Sequence, residues 1–292
     1  MAAKLNQTLL YAAILAFSVF CILPFVLVLS SSLTSEDAIL QYGYNIFPRD
    51  FSLEAYRVLL VDASKIINGY KISIIVTVVG TLSSLLVTAL LAYPLALKRV
   101  RYRKQLNVFT LITILISGGI VPWYIVCVKY LGLQDNLAAL IIPYLCQAWN
   151  VFLLRNYFQA LPDELTESAK IDGAGEYRIF FQIIAPLSKP ALATVGLFIA
   201  LAYWNDWWLG LMLLNKVELQ PLQLLLRTIQ SNVEFLSTSV QGAEIVRMTG
   251  GRLPAEGLKM ATCIVTIGPI VLVYPFIQRF FIKGLLIGAV KG

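Results

Sequence analysis

Residues 72–97 read ISIIVTVVGTLSSLLVTALLAYPLAL without one charged side chain, and residues 98–104, KRVRYRK, follow with five positive charges in seven positions. A helix over that apolar run would be about 39 Å long, more than the roughly 30 Å of a bilayer's hydrocarbon core. The basic cluster at its end belongs on the cytoplasmic side. Five further stretches meet or approach spanning length: Thr8 to Ser31, Leu106 to Tyr130, Leu137 to Leu154, Ala191 to Leu214 and Met260 to Phe281. The stretch Leu137 to Leu154 is short and holds Pro143, Gln147 and Asn150, which predicts a kinked segment packed among other helices. The first is too long for a secretory signal core and carries only Lys4 at its start, so it is read as an anchor that is retained.

Composition agrees. The 292 residues are 59% hydrophobic and 13% charged, whereas soluble domains carry about 25% charged residues. A water-facing surface cannot be assembled from so few charges, and the expectation is an all-α integral membrane protein with six transmembrane helices in a single domain over 1–292. Alternating from the basic cluster puts both termini and residues 155–189 in the cytoplasm, and residues 33–71, 131–136 and 215–259 outside. The inner side then holds 13 Lys and Arg against 5 acids, the outer side, with Lys129 at a span end, 10 against 10, and Asp206 lies within a span. The net charge of +7 is thus explained by topology, with membrane lipids and no nucleic acid as the partner of the basic surface. The chain has no His, the commonest proton relay and metal ligand, and no metal site is expected. Cys21, Cys127, Cys146 and Cys263 fall in apolar runs without paired spacing and read as small buried thiols.

The inner segment 155–189 is more than a connector. Pro162-Asp163-Glu164 suits a helix start, Gly173 a left-handed stop, and a second short helix from about Glu176 to Ile184 should end before Pro186. Leu165, Ala169, Ile171, Tyr177, Phe180 and Phe181 give the unit apolar surface that calls for a protein partner or for lipid headgroups.

Glu167-Ser168-Ala169, then Asp172-Gly173-Ala174, and nine residues after Gly173 the run Ile183-Ile184-Ala185-Pro186, resemble the E-A-A-x-x-x-G-x9-I-x-L-P signature of permease subunits in ATP-binding-cassette importers. Within that family the chain is similar, over most of its length, to the maltose-type carbohydrate importers and their LplC-like second permeases. Supporting stretches are 117–122, 186–191, 203–207, 221–226 and 283–292. Ser168 and Ala185 depart from the signature, the latter weakening the apolar anchorage beside Pro186. The resemblance implies a type I importer fold in the bacterial inner membrane, with 155–189 as the coupling loop seated on an ATPase. Glu167, Ser168, Ala169, Asp172, Gly173, Ala174, Ile183 and Pro186 would make or shape that contact. It also implies a homologous second permease, two ATPase subunits that carry ATP and Mg, an extracytoplasmic solute-binding protein and an oligosaccharide substrate. Relatives serving acidic polysaccharide breakdown point to uronate fragments such as those of alginate or pectin, with a neutral sugar as the alternative. No GxxxxGK[ST] phosphate loop occurs, so the chain should not hydrolyse nucleotide or bind a cofactor itself.

Tyr203-Trp204-Asn205-Asp206-Trp207 places an ionisable group inside an apolar run. Three roles remain open for it: contact with sugar, for which aromatic faces beside carboxylate and amide are suited, a gate or subunit contact, and an interfacial belt. A secondary transporter with Asp206 as an ion site is the alternative class. The outer segments 33–71 and 215–259, the latter with Gly250-Gly251, are candidate docking surfaces. Gly268-Pro269 and Pro275 interrupt the last span, and the basic tail 283–292 would face the ATPases or lipid headgroups.

Overall fold

The computed structural model describes residues 2–239, 241–242, 244, 254–269 and 271. Gly250-Gly251, Pro275 and the tail from Lys283 lie outside the described residues. Apart from one isolated antiparallel bridge between Thr34 and Phe51, the regular elements among the described residues are helical. In chain order they are α1 (Ala2–Ser32), α2 (Glu36–Tyr42), α3 (Glu54–Leu59), α4 (Ala63–Ala96), α5 (Arg103–Leu115), α6 (Ile120–Ile125), α7 (Ala148–Gln159), α8 (Glu164–Ile171), α9 (Glu176–Ile179), α10 (Ala185–Leu187), α11 (Lys189–Trp204), α12 (Trp208–Leu213), α13 (Leu222–Thr238) and a last helix, α14, over 255–269. Wider turns continue α6 over Val126–Tyr130 and α9 over Phe180–Ile184. Short 3-10 turns occupy Leu137–Leu140 and Ile142–Tyr144.

The described residues divide into two compact units, one drawn from 2–67 and 225–271 and one of 68–224. In the first, α1 is exposed from residue 6 to 26 although its side chains are mainly apolar. Such a surface suits hydrocarbon and not water. The loop beyond α1 is pinned by Ser35 and Asp50, by Ser52 and Leu33, and by a 2.9 Å contact between the Ser32 and Tyr56 hydroxyls. The Glu36 carboxylate accepts from the backbone N–H groups of Glu256 and Gly257, each at 3.1 Å, and so caps the start of α14. Tyr44 donates to Glu256 at 2.6 Å, and that bond raises the Tyr44 phenol to about 12.

In the second unit the core lies between α4, α7, α11 and α12, with Ala92, Leu95, Val151, Leu154, Ile199 and Leu209 buried together. Small residues let the helices approach: Ser84, Thr88, Ala89 and Ala92 on α4 are all buried, and Gly80 faces the ring of Tyr203 on α11. The helices are not all straight. Only α1 and α4 are long and apolar enough, each alone, to cross a bilayer among the described residues. The stretch read as one span over 106–130 turns by 111° between α5 and α6, where Gly119 takes φ +83°. That over 137–154 bends by 50° ahead of Ala148, and α11 stops at Trp204, three residues short of α12.

A Cβ at Gly80 would lie 2.8 Å from the Tyr203 ring, whose hydroxyl donates to the Ile141 carbonyl at 2.9 Å. Gly80→Ala is therefore expected to destabilise the protein by about 1–3 kcal/mol, seen as a lower unfolding midpoint in detergent, because the ring must leave that bond.

Candidate functional site

The bent unit after α7 is built by local rules. Pro162 and Asp163 precede α8, and the Asp163 carbonyl collects the Thr166 hydroxyl at 2.9 Å together with the backbone N–H groups of Thr166 and Glu167. At the other end Gly173 has φ +77°, its N–H bonds the Lys170 carbonyl and that of Ala174 bonds the Ala169 carbonyl, each at 2.9 Å. This is the Schellman stop, which glycine adopts at least cost. The chain restarts at α9, passes through the wide turn and α10, and bends by 84° into α11 at the buried Ser188.

The unit has two faces. Thr166, Ala169, Ile179, Phe180 and Ile184 are buried. Phe180 sits 5.3 Å from the Tyr93 ring and edge-on to Phe158 at 6.3 Å. Glu167, Ser168, Asp172, Gly173 and Pro186 are exposed, and Ala174 and Ile183 are half-buried. Of the apolar residues that seemed to need a partner, Ala169 and Phe180 are satisfied within the chain. Ile171, at 87% exposure, and Tyr177, at 78%, remain outside beside Glu167 and Asp172, with Phe181 also exposed.

Glu176 ties the unit to α4. Its carboxylate receives Arg99 at 2.7 and 2.9 Å, Lys170 at 2.7 Å and the Tyr93 hydroxyl at 3.1 Å. Burial alone would push this carboxyl up, but the bonds from Lys170, Arg99 and Tyr93 together outweigh it and hold the group below the usual range. Lys98 adds a 3.0 Å pair with Asp163. Sequence reasoning counted Lys98 and Arg99 only toward orientation and Glu176 only as a helix start. The available signal was opposite charge on two segments assigned to the same membrane face.

The second candidate cluster is taken up by the fold to a large extent. Tyr203 and Trp204 are buried, Asn205 and Trp207 are exposed, and Asp206 lies between. One Asp206 oxygen accepts from the Tyr144 hydroxyl at 3.1 Å and the other from the Leu209 N–H at 3.1 Å. The carboxylate thus caps α12 across the break that follows α11. Beside that break the indoles of Trp123 and Trp208 meet with ring centres 4.5 Å apart. Among the described residues no group of three or more His, Cys, Asp or Glu is placed to hold a metal.

A family model described as the binding-protein-dependent transport system inner membrane component matches residues 72–287. The chain belongs to that family. Among its relatives, the polygalacturonan/rhamnogalacturonan transport system permease protein YtcP of Bacillus subtilis is 39% identical over 99% of both chains. Protein LplC of the same organism is 40% identical over 93% of this chain and 90% of its own. A solved bacterial ABC transporter involved in import of the acidic polysaccharide alginate has a chain that superposes with a TM-score of 0.78 at 28% identity, covering 96% of this chain and 98% of that one. The all-helical type I importer fold and the inner-membrane setting are therefore those of the family, whose members are permease subunits served by separate ATPases. An ion-coupled carrier centred on Asp206 loses its support, since the family is one of binding-protein-dependent transport systems.

Because the folded value of Glu176 is lowered, its clamp stabilises the protein above the ordinary carboxylate range near about pH 4.3 and is lost as pH falls through the lowered value. The unfolding midpoint should drop on acidification, and Glu176→Gln should lower the midpoint at neutral pH and flatten that acid limb. A variant with the wild-type acid limb would show that the clamp carries no linkage.

Proposed function

We propose that this chain is one of two permease subunits in an ATP-binding-cassette importer of oligosaccharides, with acidic, uronate-type fragments as the leading substrate class. It forms a single membrane domain over residues 1–292 with both termini in the cytoplasm. A homologous permease completes the pathway, two ATPase subunits sit beneath it and an extracytoplasmic binding protein docks on the outer segments 33–71 and 215–259. The substrate class is supported by the two relatives whose names specify acidic polysaccharides, a polygalacturonan/rhamnogalacturonan permease and an alginate importer. The neutral alternative is favoured by relatives of arabinooligosaccharide and trehalose/maltose transport systems, both 28% identical.

The observation that carries the coupling role is the bent unit itself: a charged and apolar outer face on a frame that Glu176 holds to Tyr93 of α4 and to Arg99 just beyond it. In this reading Glu167, Ser168, Asp172 and Gly173 meet the ATPase, Ala169, Ala174 and Ile183 shape the frame, and Pro186 leads into the 84° bend. Gly173 lets the partner's backbone come close, and Glu167 offers a carboxylate to cationic groups. ATP-driven closure of the ATPase pair moves the 167–186 unit as a lever and opens the pathway outward, and hydrolysis returns it. Tyr203 and Asp206 take part by holding the shape of the fifth segment.

Glu167→Arg is expected to lower both uptake and binding-protein-stimulated ATP hydrolysis by about tenfold or more, while the complex still assembles. Both are measured in proteoliposomes holding the whole transporter. Uptake at the wild-type rate would remove the coupling assignment. Competition between oligogalacturonate and a neutral oligosaccharide of equal length in the same vesicles decides the substrate class.

A further inference from the structure

The break between α5 and α6 leaves backbone without partners at a depth where hydrocarbon would punish it. From Leu106, where the apolar run begins, nine helical steps carry Leu115 about 14 Å along α5, close to half of a core about 30 Å thick. There the helix stops, and residues 116–119 are irregular and exposed. Ile116 N–H still bonds the Ile112 carbonyl, Gly119 N–H reaches the Ser117 hydroxyl at 3.3 Å, and the Gly119 carbonyl accepts from Trp123 at 3.4 Å. Among the described residues, the backbone N–H and C=O groups of Ser117 and Gly118 make no hydrogen bond. Irregular backbone at membrane depth persists only where protein covers it or where it lines a water-filled cavity. Here it borders a cavity of about 530 Å³ whose lining includes Ser117, Gly118, Gly119, Pro122, Trp123 and Trp208. That volume lies within the range of small-molecule sites.

The same lining is aromatic in part. The Trp123 and Trp208 rings are tilted by 41° at 4.5 Å, so together they present a broad apolar face. Trp208 is the first residue of α12, two positions after Asp206, and its place is set by the Asp206 cap on Leu209 and the Tyr144 bond to Asp206. Flat indoles and bare amide and carbonyl groups lining one cavity are what a sugar ring requires: apolar contact for its C–H face, donors and acceptors for its hydroxyl and carboxylate groups.

We propose that the Ser117–Gly119 backbone with Trp123 and Trp208 is a sugar-stacking station on the translocation pathway, taking one pyranoside unit of the transported oligosaccharide. The indoles hold the ring face, and the Gly118 amide and Ser117 hydroxyl bond its polar edge. Asp206 and Tyr144 act as positioning residues for Trp208. This inference rests on the importer reading above.

The test uses the complete transporter with its binding protein in proteoliposomes, and wild-type oligosaccharide uptake is the control for the importer reading. Trp208→Ala and Trp123→Ala should each lower the sugar moved per ATP hydrolysed by about two- to tenfold, and Trp208→Phe, which keeps a flat ring, should restore most of it. Ser117→Cys should react with a charged, membrane-impermeant thiol reagent above the background of the four native cysteines, and saturating oligosaccharide should slow the reaction. Absence of wild-type uptake would overturn the importer reading and this station with it. Normal uptake by both alanine variants, or a Ser117→Cys that stays unreactive throughout the nucleotide cycle, would overturn the station alone and show that lipid or the sister permease fills the cavity. Equal loss in the alanine and phenylalanine variants would also overturn it, by marking Trp208 as a packing residue.

Discussion

A backbone polar group without a partner costs free energy wherever water cannot reach it, several kcal/mol in hydrocarbon, and the helix interruptions among the described residues meet that constraint in different ways. The interruptions are answered in different currencies. At 172–175 the answer is local: a left-handed Gly173 lets two N–H groups fold back onto the α8 carbonyls. At 205–207 it is a side chain, Asp206, taking the Leu209 N–H while Asn205 donates to the Leu201 carbonyl at 2.8 Å. Around 137–144 it is tertiary, with Asn136 capping Ala139 at 3.0 Å and Tyr203 donating to the Ile141 carbonyl. At 117–118, and again at Cys146 in the 50° bend, the described chain supplies no backbone partner, and the first of these borders the cavity.

The charges around the bent unit follow a different logic. A single exposed ion pair contributes little, because two long side chains must be ordered and water screens them. Glu176 is not in that position: three donors from two segments converge on one carboxylate whose two oxygens fix their geometry. Beside it Phe180 is packed between Tyr93 and Phe158. Charge orients the unit and aromatic packing stiffens it, so the frame under Glu167 and Asp172 is held to α4 at two separate points.

What the sequence disclosed was whatever depends on near neighbours. The apolar run of α4 is legible because hydropathy is a property of the segment itself, and the stop at Gly173 is legible because a Schellman motif closes within six residues. The 111° turn at 116–119 was not read, although Gly118 and Gly119 stand there, because glycine is frequent in straight membrane helices too. Asp206 stood out as a rare intramembrane acid, yet its use as a cap depends on Tyr144, 62 residues away. Arg99 and Glu176, 77 residues apart, could be matched only by sign. In each case the missing information is which distant group arrives, a tertiary fact that no local pattern encodes.

The two regions are joined by α11. Its 16 residues make a rod of about 24 Å that starts at the 84° bend beyond Pro186 and ends at the break before Trp208. Both ends are fixed: Ser188 is buried at the lower one, with its N–H held by Ile184 at 2.9 Å and Ala185 at 3.2 Å, and Asp206 and Tyr203 are bonded at the upper one. Along the rod Gly196 admits Leu85 of α4 at 3.3 Å from where a Cβ would stand, so the two helices lie close and have little room to slide independently. In the proposed cycle a push at Glu167 is passed along α11, which is continuous over Lys189–Trp204 and packed against α4. It must reappear where the helix ends, and what lies there is the cap that positions Trp208 against Trp123.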